Sequence, residues 1–452
     1  MGRYKEYQEY KNSGVEWLGK VPLDWDIKKI KYLSPVKRGA SPRPIDDSKY
    51  FDEEGDYVWV RIADVSASDT YLYQTTQKMS ELGSSLSVKL EPNQLFLSIA
   101  GTVGKPCINK IKACIHDGFV YFPDLKIPNK FLFYVFAGEQ AYKGLGKMGT
   151  QLNLNTDTVG GIKVAIPKTE QDIQAIINFL DHETAKIDTL IEKQQQLITL
   201  LKEKRQAVIS HAVTKGLNPE APMKDSGVEW LGDVPEHWDI KKAKYLFEFV
   251  TSGSRGWAEH YSDEGQLFFR IANLTRDTIE PKMDSFQNVS PPSGAEGQRS
   301  KIKINDLLIS ITADLGSACV ANGRVEGGYV SQHVSLCRPN SLVKSSRWLA
   351  YFILSDSAKE QLLSSGYGGT KVQLSLEDIR ELVTSFPPEN EQIEIADYID
   401  SKLIKFESLM TKADEQVQLL KERRTALISA AVTGKIDVRN WKKLVVNHEE
   451  VA

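Results

Sequence analysis

Between Asp172 and Lys215 apolar side chains return on a seven-residue step, with no proline or glycine until Gly216. Leu180, Ile187, Leu201 and Val208 mark one position of the heptad, and Leu190 and Leu197 mark the other. Ile191 and Ile198 widen the stripe, while Glu183, Lys186, Glu192, Lys193, Lys202 and Glu203 stay off it. A 3.5-residue period with charged flanks predicts a coiled-coil helix that must bury its stripe against a partner. At about 1.5 Å per residue it would run roughly 60 Å. The pattern recurs from Glu391 to Thr433: Ile399, Phe406, Leu420 and Leu427 hold one position, Leu409 the other, with Met410 and Val417 on the flank. Leu200-Leu201-Lys202-Glu203-Lys204-Arg205 is answered by Leu419-Leu420-Lys421-Glu422-Arg423-Arg424. Two matching stripes in one chain predict that the helices pair with each other.

A shorter repeat precedes each helix. Ser13-Gly14-Val15-Glu16-Trp17-Leu18-Gly19, then Val21-Pro22 and Trp25-Asp26-Ile27-Lys28-Lys29, returns as Ser226 to Gly232, Val234-Pro235 and Trp238 to Lys242. The chain is therefore a tandem duplication of arm, variable domain and long helix; two copies are too few for a solenoid. The variable domains have diverged much further. Strand-like runs pair up between them: Tyr57–Ile62 with Leu267–Ile271, and Leu95–Ile99 with Leu307–Ile311. Short amphipathic helices are expected over Lys130–Tyr142 and Arg347–Leu363. The fold class is mixed α/β, with two strand-rich domains and two long helices forming an antiparallel coiled coil. The expected segments are 1–167 (arm and first domain), 168–215 (first long helix), 216–387 (arm and second domain), 388–440 (second long helix) and 441–452 (tail). A scaffold that stays alike while its passengers diverge faces the same partner twice and two different targets.

Composition narrows the function. The 452 residues carry a formal net charge of −3, so a nucleic-acid site must be a local basic patch rather than a global excess. Four scattered cysteines suit neither a disulfide framework nor a four-cysteine zinc site. No window has the apolar length of a membrane span and the start is polar, which points to the cytoplasm.

Motifs for chemistry are weak. Gly144-Leu145-Gly146-Lys147-Met148-Gly149 matches a dinucleotide pattern but lacks the strand before and helix after that it requires. Gly101-Thr102-Val103-Gly104-Lys105 lacks the spacing of a phosphate loop, and Pro106 blocks the helix. No histidine pair has metal spacing, and no nucleophile elbow or amino-methyltransferase tetrapeptide occurs. Polar and basic loop residues remain. Lys37-Arg38-Gly39-Ala40-Ser41-Pro42-Arg43 in the first domain and Thr251-Ser252-Gly253-Ser254-Arg255-Gly256-Trp257 in the second hold the same place. Arg43, Arg255, Gln151, Asn153 and Gln373 have the chemistry to read base edges. Lys37, Arg38, Lys105, Lys147 and Lys371 suit phosphates, which position without specifying. Ser41, Thr150, Ser254, Trp257 and Thr370 lie in the same segments and complete the candidate DNA-binding set. Arg61 and Arg270, inside strand-like runs, suit structural ion pairs as well as DNA contacts.

Together, the repeated arm, the closing Gly149-Thr150-Gln151-Leu152-Asn153-Leu154 and Gly369-Thr370-Lys371-Val372-Gln373-Leu374 segments, and the helix ends Ala212-Val213-Thr214 and Ala431-Val432-Thr433 resemble the specificity subunit of a Type I restriction–modification system. The resemblance implies one target-recognition domain per half of a bipartite DNA site and a coiled-coil spacer. It also implies two adenine-N6 methyltransferase (modification) subunits on the arms and helix ends, with restriction subunits joining them. S-adenosylmethionine would belong to the modification subunits; this chain would bind no cofactor or metal and catalyse nothing. A coiled-coil adaptor with two protein-binding domains and no DNA readout is the other reading of the same layout.

Overall fold

A computed structural model describes residues 4–143, 145, 154–253, 255–291, 295–365 and 373–442. It groups into two compact units, Met1–Gln195 with Glu415–Ala452 and Gln196–Asp414. Each unit contains one arm, one strand-rich domain, the N-terminal half of one long helix and the C-terminal half of the other.

The long helices span Glu170–Lys215 and Glu389–Val432. The prolines Pro167 and Pro387 stand just ahead of them, and Thr169 Oγ1 accepts from Asp172 N at 3.1 Å to cap the first. Gly216 and Gly434 end them with φ of +74° and +71°, a left-handed turn that glycine takes without steric cost. In the first unit Arg424 Nε donates to Asp188 Oδ1 at 2.8 Å; in the second, Arg205 interacts with Glu407, the residue at the matching place. Early residues of one helix thus face late residues of the other within each unit, the antiparallel pairing expected.

The seam differs from the expected stripe. Leu180, Ile187, Leu201, Ile399, Phe406 and Leu427 are buried, and Val208 and Leu420 are half-buried, as one heptad position requires. Leu190, Leu197 and Leu409 do not hold the second position; they are 47 %, 43 % and 50 % exposed. The second position lies four residues past the first instead of three. It carries Thr184, Ile191 and Ile198 in one helix and Leu403, Met410 and Val417 in the other, all buried or half-buried. Rotation of each helix is set by its own strand-rich domain. Ile173, Ile176, Ile177 and Leu180 pack into the first core, and the Tyr134 hydroxyl bonds the Asp181 carboxylate. Tyr351 and Asp400 repeat that bond in the second unit.

The arms fold identically. Residues Tyr10–Asn12 pair with Lys20–Pro22, and Met223–Asp225 with Asp233–Pro235. Trp25 and Trp238 are fully buried beneath them. A two-stranded ribbon then ties each arm to the strand leading into the helix, Asp26–Lys29 with Lys163–Ile166 and Asp239–Lys242 with Val383–Phe386.

Each variable domain is built on two small sheets. In the first domain these are 37–38, 119–121, 95–98, 106–109, 71–72 in one, and 78–79, 57–60, 113–115, 88–90 in the other. The second has 247–252, 334–339, 307–310, 318–320, and 261–262, 288–289, 266–269, 329–330. The predicted runs 57–62 and 267–271 leave the sheet early, at Val60 and Phe269, and turn into the short helices Ile62–Ala67 and Ile271–Asn273. The expected amphipathic helices are core elements: Phe131 to Phe136 and Trp348 to Leu354 are buried on every side. All four cysteines are buried and unbridged, and burial pushes the Cys107 thiol to about 12 and Cys114 to about 11, so neither is a nucleophile.

Candidate nucleic-acid interface

The candidate surface of the first domain is organised by the parallel pairing of Val60 with Ile115. Beyond that pair the chain leaves the sheet on both sides, at Arg61 and at His116-Asp117. Trp59 N donates to Gln77 O at 2.9 Å, which brings Thr75-Thr76-Gln77 alongside. These segments line a cavity of about 1170 Å³ with Trp59 in its wall and Asp46, Asp52, Glu53 and Lys78 around it. The Arg61 guanidinium is held by the Gln77 side-chain carbonyl, and Arg61 N donates to Asp64 Oδ2 at 2.8 Å.

His116 sits inside this wall. Its Nδ1 accepts from Gly118 N at 2.9 Å, so the ring is neutral with its proton on Nε2. Burial holds its pKa below the ordinary histidine value, partly offset by Asp117. Asp117 gathers the predicted cations: Arg43 Nη2 lies 3.6 Å from its carboxylate, Arg38 Nη2 4.0 Å, and Ser41 Oγ donates to it at 3.3 Å. Arg38 and Arg43 thus share one carboxylate at the surface.

The second domain repeats the geometry with other side chains. Phe269 pairs with Val330, Phe268 N donates to Gln287 O at 2.7 Å, and Ser331 N donates to Phe269 O at 2.8 Å. Arg270 therefore corresponds to Arg61, Phe286 to Thr76, and Gln332-His333 to the Asp117 turn. Arg270 N donates to Asn273 Oδ1 at 3.0 Å, and its guanidinium donates to Ser285 Oγ at 3.0 Å. The connections Ile99–Lys105 and Ile311–Ser317 also match: Gly101 and Ala313 share φ near +60°, at +61° and +59°. Each connection joins two antiparallel strands, so the Gly101–Lys105 run opens no helix.

Several predicted contacts fall elsewhere. Trp257 is a core residue, stacked on Phe268 at 5.8 Å and packed against Tyr329, and offers DNA nothing. Lys105 is half-buried, bonds Ser66 O at 2.8 Å, and burial lowers its pKa. Lys37 and Arg255 are exposed, and Gln373 is exposed while its backbone bridges to Thr312. Lys147, Thr150, Gln151, Asn153, Ser254, Thr370 and Lys371 lie outside the described residues, as does most of the glycine run 144–149. Neither Arg61 nor Arg270 is in an ion pair among the described residues. Sequence reasoning missed Gln77, His116, Asp117, Ser285, Phe286 and Gln332. The signal was present in Thr75-Thr76-Gln77 against Ser285-Phe286-Gln287, an internal match too short to stand out.

Among the described residues no helix is long and apolar enough to cross a membrane, and no cluster of three or more His, Cys, Asp or Glu could hold a metal ion. Each unit thus joins a strand-rich domain to halves of two long helices, and the two domains share a framework while their exposed side chains differ. The family model for the Type I restriction modification DNA specificity domain matches residues 22–200 and 235–419, and the chain belongs to that family. Members are the non-catalytic specificity components of those systems. The MjaIX specificity subunit of Methanocaldococcus jannaschii is 20 % identical over 97 % of this chain and 99 % of its own length. A chain solved in a study of complex assembly of the type I R-M system superposes with a TM-score of 0.69 at 17 % identity, covering 92 % of this chain and 99 % of the other. The HsdS subunit of Thermoanaerobacter tengcongensis superposes at 0.51 with 15 % identity over 92 % and 98 %.

Proposed function

We propose that this chain is the DNA-reading subunit of a Type I restriction–modification complex, with each strand-rich domain recognising one half of a bipartite site. The observation that carries the reading is framework identity beside surface divergence. Arms, helix ends and the central strand pairings coincide, whereas Thr76 faces Phe286 in the correspondence, and Asp117 faces Gln332. A scaffold used twice with two surfaces suits two different base sequences, since base contacts specify while shared contacts position.

The repeated arms and helix ends would carry two adenine-N6 methyltransferase subunits, and restriction subunits would join that core. S-adenosylmethionine would bind the methyltransferases, and this chain would hold no cofactor. The long helices would set the gap between the half-sites. DNA modification places the complex in the cytoplasm. Replacing residues 34–167 by the first variable domain of another family member tests the reading. In the assembled complex, selection from a random DNA library should return one changed half-site and one unchanged. A change in both halves, or in neither, would overturn it and favour the protein-binding adaptor.

A further inference from the structure

We propose that Arg61 and Arg270 each read a guanine, at corresponding places in the two half-sites. The proposal rests on the reading of the domains as DNA-reading modules and names a base contact within it. Both arginines sit at the same point of the framework, the first residue past the parallel strand pair, with the backbone N–H tied to a side chain three residues on. Around them the surface has diverged, but Arg-Ile-Ala is retained as Arg61-Ile62-Ala63 and Arg270-Ile271-Ala272. The retained residue meets something the two half-sites share.

Phosphate is one shared feature, and the charges around Arg61 oppose it. Asp46, Asp52 and Glu53 line the same cavity beside Arg61 and Lys78, and Asp117 is shared by Arg38 and Arg43. Three carboxylates around Arg61 and Lys78 favour a neutral base edge over a phosphate. Both guanidinium groups are steadied by a neutral acceptor, the Gln77 carbonyl in one domain and the Ser285 hydroxyl in the other. A neutral partner fixes the guanidinium plane without consuming its charge, and one bond leaves donors for the O6 and N7 of guanine. Arg38 and Arg43 differ in the first respect: each lies beside the Asp117 carboxylate.

The test uses the complex with its modification subunits and a random DNA library, comparing the wild type with Arg61→Ala, Arg61→Lys, Arg270→Ala and Arg270→Lys. Each variant should lose selection for guanine at one position of its own half-site and keep the other half-site. Binding to the guanine-containing site should fall roughly tenfold to hundredfold, with lysine no better than a partial rescue. Loss spread evenly over all sequences, with a shallower salt dependence and full rescue by lysine, would assign a phosphate contact and overturn the proposal. Unaltered selection in a selective complex would overturn it alone. A wild-type complex that selects no sequence would remove the reading beneath it as well.

Discussion

The two units close the same framework by different connections. In the second, the chain runs continuously from the end of the first long helix at Gly216 into the arm at Met223, and Gly216 packs on Trp238. In the first, no covalent link joins the matching elements. Gly434, past the end of the second long helix, packs on Pro22 and Trp25, and the chain beyond it meets the N-terminal segment by contacts alone. Asp437 N donates to Lys5 O at 2.7 Å, Tyr10 Oη donates to Gly434 O at 3.2 Å, and the Arg439 guanidinium lies 4.7 Å from the Tyr7 ring centre. The arm therefore docks on a helix end whether or not the chain connects them. Packing specifies the joint, and the linker only raises the local concentration of one half for the other.

The arm tryptophans test this most directly. Trp25→Ala and Trp238→Ala should each cost about 3–5 kcal/mol locally, since each removes a fully buried ring. The effect should differ between units. In the first, hydrogen exchange should show residues 4–12 and 435–441 losing protection together, because no chain connects them; in the second, the linker should hold the arm near its helix and protection should fall less. Equal loss in both would mean that connectivity contributes nothing to the joint.

A smaller effect sharpens the helix seam. Ile187→Ala, at a buried position, should destabilise the first unit by about 2–5 kcal/mol, whereas Leu190→Ala, 47 % exposed, should stay within about 0.5 kcal/mol in the isolated chain. Chemical denaturation of both variants decides, and a large cost at Leu190 would restore the stripe read from sequence.

The least effect concerns pH and belongs to the first unit, because His116 has no histidine counterpart at Ser331. Its folded pKa lies below the ordinary value of 6.5, so the unfolded chain takes up a proton first as pH falls. Its contribution to stability is complete above about pH 6.5 and declines as pH drops below that value. Thermal unfolding from pH 7.5 to 5.5 should show His116→Asn losing less stability on acidification than the wild type. An identical pH profile in the variant would place the titration elsewhere.

Much of this molecule was legible in its residues. Repetition exposed the duplication, the seven-residue step exposed the long helices, and paired apolar runs located the central strands. Seam choice was not legible, because leucine and isoleucine offered two second positions and both obey a 3.5-residue step. The contacts of Ile173, Ile176 and Asp181 with the first strand-rich domain fixed the rotation. Nor did the candidate surface around Arg61 and Arg270 follow from the loops that looked basic. Trp257 stood among them and proved to be core, while Arg61 and Arg270 read as strand interior and lie just outside it.

Local pattern determined which segments become helices and strands and that the whole is built twice, because periodicity and repetition are properties of the chain itself. Which side chains share a cavity, which cations share the Asp117 carboxylate, and which leucines remain outside the seam were decided only by the fold. Those facts depend on residues far apart in sequence, such as Arg61 with Gln77 and His116, whose proximity is created when parallel strands pair and not before.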